Sequence, residues 1–353
     1  MKPAVSAAAF FTEKLMHWHQ TANTRDLPFK GEKDPYKIWL SEIILQQTRA
    51  EQGLPYYLKF IEAYPTVKAL ANTTDDQAFQ LWQGLGYYAR CRNMLATARH
   101  IANDLGGHFP TTYNEILLLK GIGPYTAAAI ASFAYGLPHA VVDGNVIRVL
   151  ARYFGLKTPF DTTEGKKEFA RLADELLDKP ASAEYNQAIM DHGATICTPQ
   201  LPKCGLCPVQ EHCVAYHKNL IQVLPVRSKR PAVRMRYFHY LILLHGDKIW
   251  LRKRDAKDIW QGLYEPFMIE HEAALSRAEV AEKAAVEGIH TSFDYEGSLT
   301  QKLTHQLIET RFYCAELPAE TPIPGGLWTL KSKMKDKAFP KTLVSFFEKK
   351  GYF

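Results

Sequence analysis

Long hydrophobic runs are missing from this 353-residue chain: none approaches the roughly 20 apolar residues of a membrane-spanning helix. The Ala/Phe stretch near the start soon meets Glu13, Lys14, His17 and His19, which reads as an amphipathic first helix and not as a signal peptide. Internal repeats and low-complexity tracts are also absent. Cysteine is scarce, six in all, and four of these lie between Cys197 and Cys213. A disulfide-stapled secreted protein would be smaller and would spread its cysteines, so the pattern points to a metal site in a reducing compartment. Net charge is weak: 43 Lys and Arg against 37 Asp and Glu leave +6, which by itself only permits a polyanionic partner. The lack of a targeting segment favours a bacterial cytoplasm. The 46% hydrophobic content excludes intrinsic disorder, and the length suggests two domains, each with its own core.

From residue 6 to about 217 the apolar residues recur at helical spacing, as in PYKIWLSEIILQQT and EGKKEFARLADELLD, with turn signals between. The expectation is an all-α region. A Pro- and Lys/Arg-rich stretch follows, and residues 226–353 carry 21 basic against 16 acidic side chains. Then YFHYLILLHGDKIWLRKR reads as two strands joined at His245-Gly246-Asp247, with a helical segment at 272–288, strands at 293–299 and 307–315, and a last helix near 340–350. That is an α+β domain of about 120 residues. The expected division is 1–221, a linker at 222–236, and 237–353.

Cys197, Cys204, Cys207 and Cys213 are spaced C-x6-C-x2-C-x5-C, with Gly205 and Pro208 allowing a tight turn. Four thiolates suit Zn²⁺ or an iron–sulfur cluster, and spacing alone does not separate them. In LKGIGPYTAAAI, Gly121 and Gly123 permit a turn with bare backbone amides, and Pro124 fits the first position of the next helix, a combination suited to a phosphate or to a plain helix–helix turn. Glu42 sits in IWLSEIILQQT with apolar residues almost all round it. Desolvation there would raise its pKa, unless an Arg or Lys from elsewhere pairs with it. Asp143, in AVVDGNVIRVLAR, stands at a helix start, where an N-cap role is as plausible as a catalytic one.

These motifs together resemble the endonuclease III-type, helix-hairpin-helix superfamily of DNA glycosylases. The segments RDLPFKGEKDPYKIWLSEIILQQT, WQGLGYYARCRN and YNQAIMDHGATICTP resemble its MutY-type adenine DNA glycosylases, over about residues 10–215. The resemblance implies a helix-hairpin-helix glycosylase fold followed by a Nudix-like domain, with a [4Fe–4S] cluster on the four cysteines. It implies a monomeric enzyme, nucleoid-associated in a bacterial cytoplasm, acting on double-stranded DNA with adenine opposite 8-oxoguanine or guanine. Bifunctional members carry a lysine nucleophile where this chain has Tyr125, so the chain is expected to remove a base without a lyase step. By the resemblance Glu42 protonates the adenine and handles the attacking water, Asp143 stabilises the sugar cation or captures it, Asn145 orients Asp143, and Tyr125 lies beside the pair.

By the same resemblance Arg25, Lys30 and Gln187 belong to the base pocket or DNA contact. Gln47, Leu85 and Tyr87 match residues that wedge into the stack left by base flipping, and Thr48 one that touches the opposing base. Ordinary packing in GLGYY is the alternative for Leu85 and Tyr87. Phe29-Lys30 replaces the family's usual Trp-Arg, which suggests a retuned pocket or DNA contact. Thr304 and His305 stand in place of a Ser-His pair that reads 8-oxoguanine, next to Leu303 in place of Phe. The helix at 272–288 lacks the acidic box of a working Nudix hydrolase, so the second domain reads as binding only. The competing functions are a bifunctional pyrimidine-damage glycosylase/lyase and a non-catalytic iron–sulfur DNA-binding protein.

Overall fold

The computed structural model describes residues 7–228, 233–255 and 257–352; part of the expected basic linker, 229–232, lies outside the described residues. The chain divides into two compact units, Met1–Ala71 with Ala96–Lys229, and Asn72–Leu95 with Arg230–Phe353. Sequence pattern alone had grouped residues 72–95 with the helical region. Polar ties also join them to the sheet: Asp76 accepts from Lys253 Nζ (2.5 Å) and the Tyr264 hydroxyl (3.0 Å), and Gln80 donates to the Lys335 carbonyl (3.1 Å). No described helix is long and apolar enough to cross a membrane.

The first unit is helical, and four helices position everything that follows. Helix Pro35–Leu45 begins with Asp34, whose carboxylate accepts from the Tyr36 amide (2.9 Å), and with Pro35 in the first turn. Its Tyr36, Ile38, Trp39, Leu40, Ile43 and Ile44 are buried, so Glu42 is carried into an apolar setting. Helix Pro124–Tyr135 is buried from Thr126 through Ser132, and its short alanines let it pack against Pro35–Leu45. Helix Gly144–Phe154 is capped by Asp143 and stops at Gly155, whose φ of +73° ends the helix. Helix Ser182–Thr195 crosses it, and Phe11, Leu15 and Trp18 of Ala7–Thr21 join Val149, Leu150, Phe169 and Ala188 in one core.

The second unit holds a mixed sheet: β1 (Arg234–His245), β2 (Lys248–Lys253), β3 (Tyr264–Glu265), β4 (Phe267–His271), β5 (Asp294–Lys302), β6 (Gln306–Glu316) and β7 (Leu327–Leu330). The order is β3-β2-β1-β6-β5, with β4 also on β1 and β7 on β2; β1 and β6 run parallel from Arg234/Gln306 to Leu244/Glu316. Alternate β1 side chains go to opposite faces. Leu241 and Leu243 pack with Val280 and Ala284 of helix Arg277–Val286, while Phe238, Tyr240 and Ile242 pack with Leu343, Phe346 and Phe347 of helix Lys341–Lys349. This two-sided burial explains the near-continuous apolar run in YFHYLILL. Glu279 is used in a capping box with Ser276, the Ser276 amide donating to it at 2.7 Å.

The crossing of Ser182–Thr195 over Gly144–Phe154 depends on Gly193, where an added Cβ would lie 2.7 Å from Asn145 Cβ and 3.1 Å from its carbonyl oxygen. Gly193→Ala is expected to cost about 1–3 kcal/mol, as overpacked cores do. A loss of that size in unfolding free energy, read from a lowered urea midpoint at unchanged slope, bears this out, and an unchanged midpoint would show that the two helices separate freely.

Candidate active site

In the first unit, one cavity is lined by Glu42, Tyr125, Asp143, Asn145 and Gln187, with Arg25, Phe29, Lys30 and Thr48 also on its wall. Four separate helix segments therefore bring together side chains from Glu42 to Gln187, far apart in sequence. Glu42 points out of its apolar helix into this cavity, where the Tyr125 hydroxyl hydrogen-bonds to it. Burial, reinforced by the charge of Asp143, pushes the Glu42 carboxyl up to about 7 against the pull of Tyr125. The pairing with Arg or Lys that sequence left open is replaced by a tyrosine hydroxyl. Tyr125 itself is pushed well above the usual phenol range, first by burial and then by the two acids, so it stays a donor.

Asp143 answers its burial differently. Desolvation raises its pKa, but Oδ1 accepts from the Val146 amide (2.7 Å), Oδ2 accepts from Asn145 Nδ2 (2.7 Å), and the nearby Arg148 charge also opposes the rise. The helix-cap and catalytic readings of Asp143 are thus compatible: the cap supplies donors that favour the anion. Arg148, 8% exposed, donates to Asn145 Oδ1 (2.8 Å) and to the carbonyls of Gly193 (2.6 Å) and Cys197 (2.7 Å). One turn on, Arg152, 4% exposed, donates to the Thr198 and Pro199 carbonyls (2.7 and 3.0 Å) and to Cys197 Sγ (3.5 Å). Neither arginine was singled out from sequence. The signal was two arginines four apart in the apolar stretch VIRVLAR.

The cysteine loop lies at the far end of that arginine ladder. Cys197, Cys204, Cys207 and Cys213 form no disulfide and line one cavity with Arg152, Ile196, Pro202, Tyr216 and Ile221. Among the described residues no three His, Cys, Asp or Glu side chains form a site for a single metal ion. His192 Nε2 lies 3.4 Å from Cys207 Sγ, a neighbour that sequence did not flag. Four cysteines around one apolar hollow are a donor set suited to an iron–sulfur cluster.

Gly121, exposed at φ +79°, and half-buried Gly123, which caps helix Pro124–Tyr135, form the turn around buried Ile122. Lys120 is exposed, and its carbonyl accepts from Thr97. Gln47 is exposed with φ +56°, just past helix Pro35–Leu45. Arg25 Nη1 and Lys30 Nζ turn inward to Asp191, at 2.8 and 3.2 Å, and Lys30 also donates to the Arg25 carbonyl (2.8 Å). Phe29 meets Tyr57 edge-on at 5.8 Å. In the second unit, Leu85 is 7% exposed, in the packed arrangement left open beside the wedge role, whereas Tyr87 is 49% exposed with φ +50°. The Tyr87 hydroxyl and Thr304 Oγ1 are 2.7 Å apart, and Arg90 lies over the Tyr87 ring. Thr304 and His305 are exposed in the β5–β6 turn, and the His305 carbonyl accepts from the Arg234 amide.

Residues 40–179 match the HhH-GPD superfamily of base excision DNA repair proteins, and residues 239–349 match the NUDIX domain. Among solved structures, a thermostable thymine-DNA glycosylase aligns with a TM-score of 0.56 and 31% identity, covering 60% of this chain and 97% of its own. An endonuclease III–DNA complex aligns with a TM-score of 0.52 at 19% identity, over 60% of this chain and 95% of that one, a likeness of fold. The adenine DNA glycosylase of Mus musculus is 39% identical over 238 residues, 65% of this chain and 46% of the mouse protein. That of Buchnera aphidicola subsp. Baizongia pistaciae is 36% identical over 255 residues, 72% of each chain. With that relationship, and with both acids in one cavity, the chain belongs to the adenine DNA glycosylase family.

Proposed function

We propose that the protein hydrolyses the N-glycosidic bond of adenine placed opposite 8-oxoguanine, or opposite guanine, in duplex DNA. The observation that carries this reading is the contrast between two carboxyls in one cavity. Glu42 is held near 7, ready to give a proton at neutral pH, while Asp143, though also raised by burial, has amide donors and the Arg148 charge that favour its anion. Such a pair serves bond cleavage through a cationic sugar: one acid protonates the departing base and then accepts a proton from water, and the other stabilises or captures the positive charge. Tyr125 stands where a lyase would carry lysine, and a phenol cannot form a Schiff base with the sugar, so release leaves an intact abasic strand.

The turn at Gly121 and Gly123, where the N-cap Gly123 brings no side chain to the start of helix Pro124–Tyr135, suits a DNA phosphate. Tyr87, exposed and held by Thr304, suits insertion beside an extruded base, with Thr304 and His305 reading the base left behind. Cys197, Cys204, Cys207 and Cys213 would hold a [4Fe–4S] cluster, which when bound ties the loop into one rigid element. Arg148 and Arg152 bind the carbonyls of that loop from helix Gly144–Phe154, so loop order supports the placement of Asp143 and Asn145.

A single-turnover assay on duplexes with adenine opposite 8-oxoguanine, guanine or thymine tests the proposal. Release is expected to be fastest opposite 8-oxoguanine, with no strand break until alkali is added. Release of an oxidised pyrimidine with spontaneous nicking would move the protein to the lyase class.

Glu42 also predicts a stability effect. Its folded pKa, about 7, lies above the ordinary 4.5, so its stabilising contribution is full below 4.5 and is lost as pH rises through 7. Glu42→Gln removes that loss, so the variant should gain up to about 3 kcal/mol relative to the parent at pH 8, with the gain vanishing toward pH 4.5. Thermal melts across that range read the difference, and a gain independent of pH would contradict the assigned burial. For the loop, Cys204→Ser is expected to purify with depleted iron and sulfide and to bind duplex DNA more weakly. Full iron and sulfide in that variant would remove Cys204 from the ligand set.

A further inference from the structure

Asp191 has no solvent-exposed side-chain surface, yet it gathers four donors at the cavity wall. Oδ1 accepts from Arg25 Nη1 (2.8 Å) and Gln187 Nε2 (2.9 Å); Oδ2 accepts from Asn23 Nδ2 (2.8 Å) and Lys30 Nζ (3.2 Å). A carboxylate between two cationic side chains offers only acceptors. Gln187 can therefore turn only its NH₂ toward Asp191, and its carbonyl oxygen is the part left for a ligand in the cavity. We infer that Asp191 is a specificity-positioning residue: by fixing the Gln187 amide it presents an acceptor that fits a base bearing an exocyclic amine and disfavours a base bearing a carbonyl there. This rests on the adenine-glycosylase reading and adds to it a physical source of discrimination between 6-amino and 6-oxo purines.

The same contacts explain why lysine serves at position 30. Its ammonium is folded back onto Asp191 and the Arg25 carbonyl, where a single charge on a flexible stem suffices. His19 borders the cluster through Asn23 Nδ2 (2.9 Å), and its pKa is lowered by burial and by Lys30. The Asn23 amide therefore lies between an imidazole and Asp191, which ties the N-terminal helix Ala7–Thr21 to helix Ser182–Thr195.

The experiment compares single-turnover release of adenine, unsubstituted purine and hypoxanthine, each opposite 8-oxoguanine, by the parent protein and by Asp191→Asn. An asparagine can present either face to Gln187, so the amide loses its fixed orientation. The adenine-to-purine rate ratio should drop about tenfold, the scale of one hydrogen bond, and adenine-to-hypoxanthine discrimination should fall with it. Asp191→Glu should restore most of the ratio, and in a Gln187→Leu background Asp191→Asn should leave the ratio unchanged. Equal slowing on all three bases would reduce Asp191 to a structural residue and overturn the inference. Should Asp191→Asn fail to fold, Gln187→Leu and Asp191→Glu decide: a ratio untouched by Gln187→Leu, or abolished by Asp191→Glu, overturns it. Failure of the parent protein to release adenine at all would strike instead at the function on which the inference rests.

Discussion

Burial of the Glu42 carboxyl beside a tyrosine hydroxyl instead of a cation is the constraint around which the helical unit is arranged. A carboxylate in that position costs several kcal/mol to ionise, so it keeps its proton to about pH 7. That cost is tolerated because the rest of helix Pro35–Leu45 is bound into the core through Trp39, Leu40, Ile43 and Ile44. A cation within reach of Glu42 would stabilise the fold and remove the acid. Asp143, in the same cavity, is also raised by burial, but the N-terminus of its own helix supplies donors that oppose the rise. Burial raises both carboxyls, but Glu42 sits in an apolar helix and meets one tyrosine donor, whereas Asp143 begins a helix and meets two amide donors that oppose the rise.

Helix Gly144–Phe154 then serves two ends at once. Its first turn holds Asp143 and Asn145, and Arg148 and Arg152 extend the same face toward the cysteine loop. Buried guanidiniums satisfied by backbone carbonyls are rigid, since each lost contact would leave a buried donor unpaired. The loop beyond Cys197 therefore acts on the cavity through a continuous set of hydrogen bonds: Cys197 and Gly193 carbonyls to Arg148, Arg148 to Asn145, Asn145 to Asp143. Gly193 matters here for its missing Cβ, which lets the crossing helix come down on Asn145.

Much of this was legible in the residues. Glu42 was visible as an acid in an apolar helical pattern, Asp143 as an acid at a helix start, and the cysteine spacing as a loop that closes on itself. The strands β1, β2, β5 and β6 and both flanking helices fall where periodicity puts them, while β3, β4 and β7 escaped because strands of two to five residues leave too short a pattern. Asp191 was invisible: an acid at a helix interior normally reads as a solvated face, and its role depends on Arg25 and Lys30, more than 160 residues earlier. The bonds of Asp76 and Gln80 to the sheet region carry no local signature for the same reason, although residues 72–95 lie within the 40–179 match to the HhH-GPD superfamily.

The pH dependence of single-turnover adenine release, opposite 8-oxoguanine and with enzyme in excess, tests the central claim most directly. If Glu42 is the acid, the rate holds below about pH 7 and falls as pH rises through that value, while Glu42→Gln releases no base at any pH. A rate that is level to pH 9, or that rises through 7, would show that the proton given to the base does not come from Glu42.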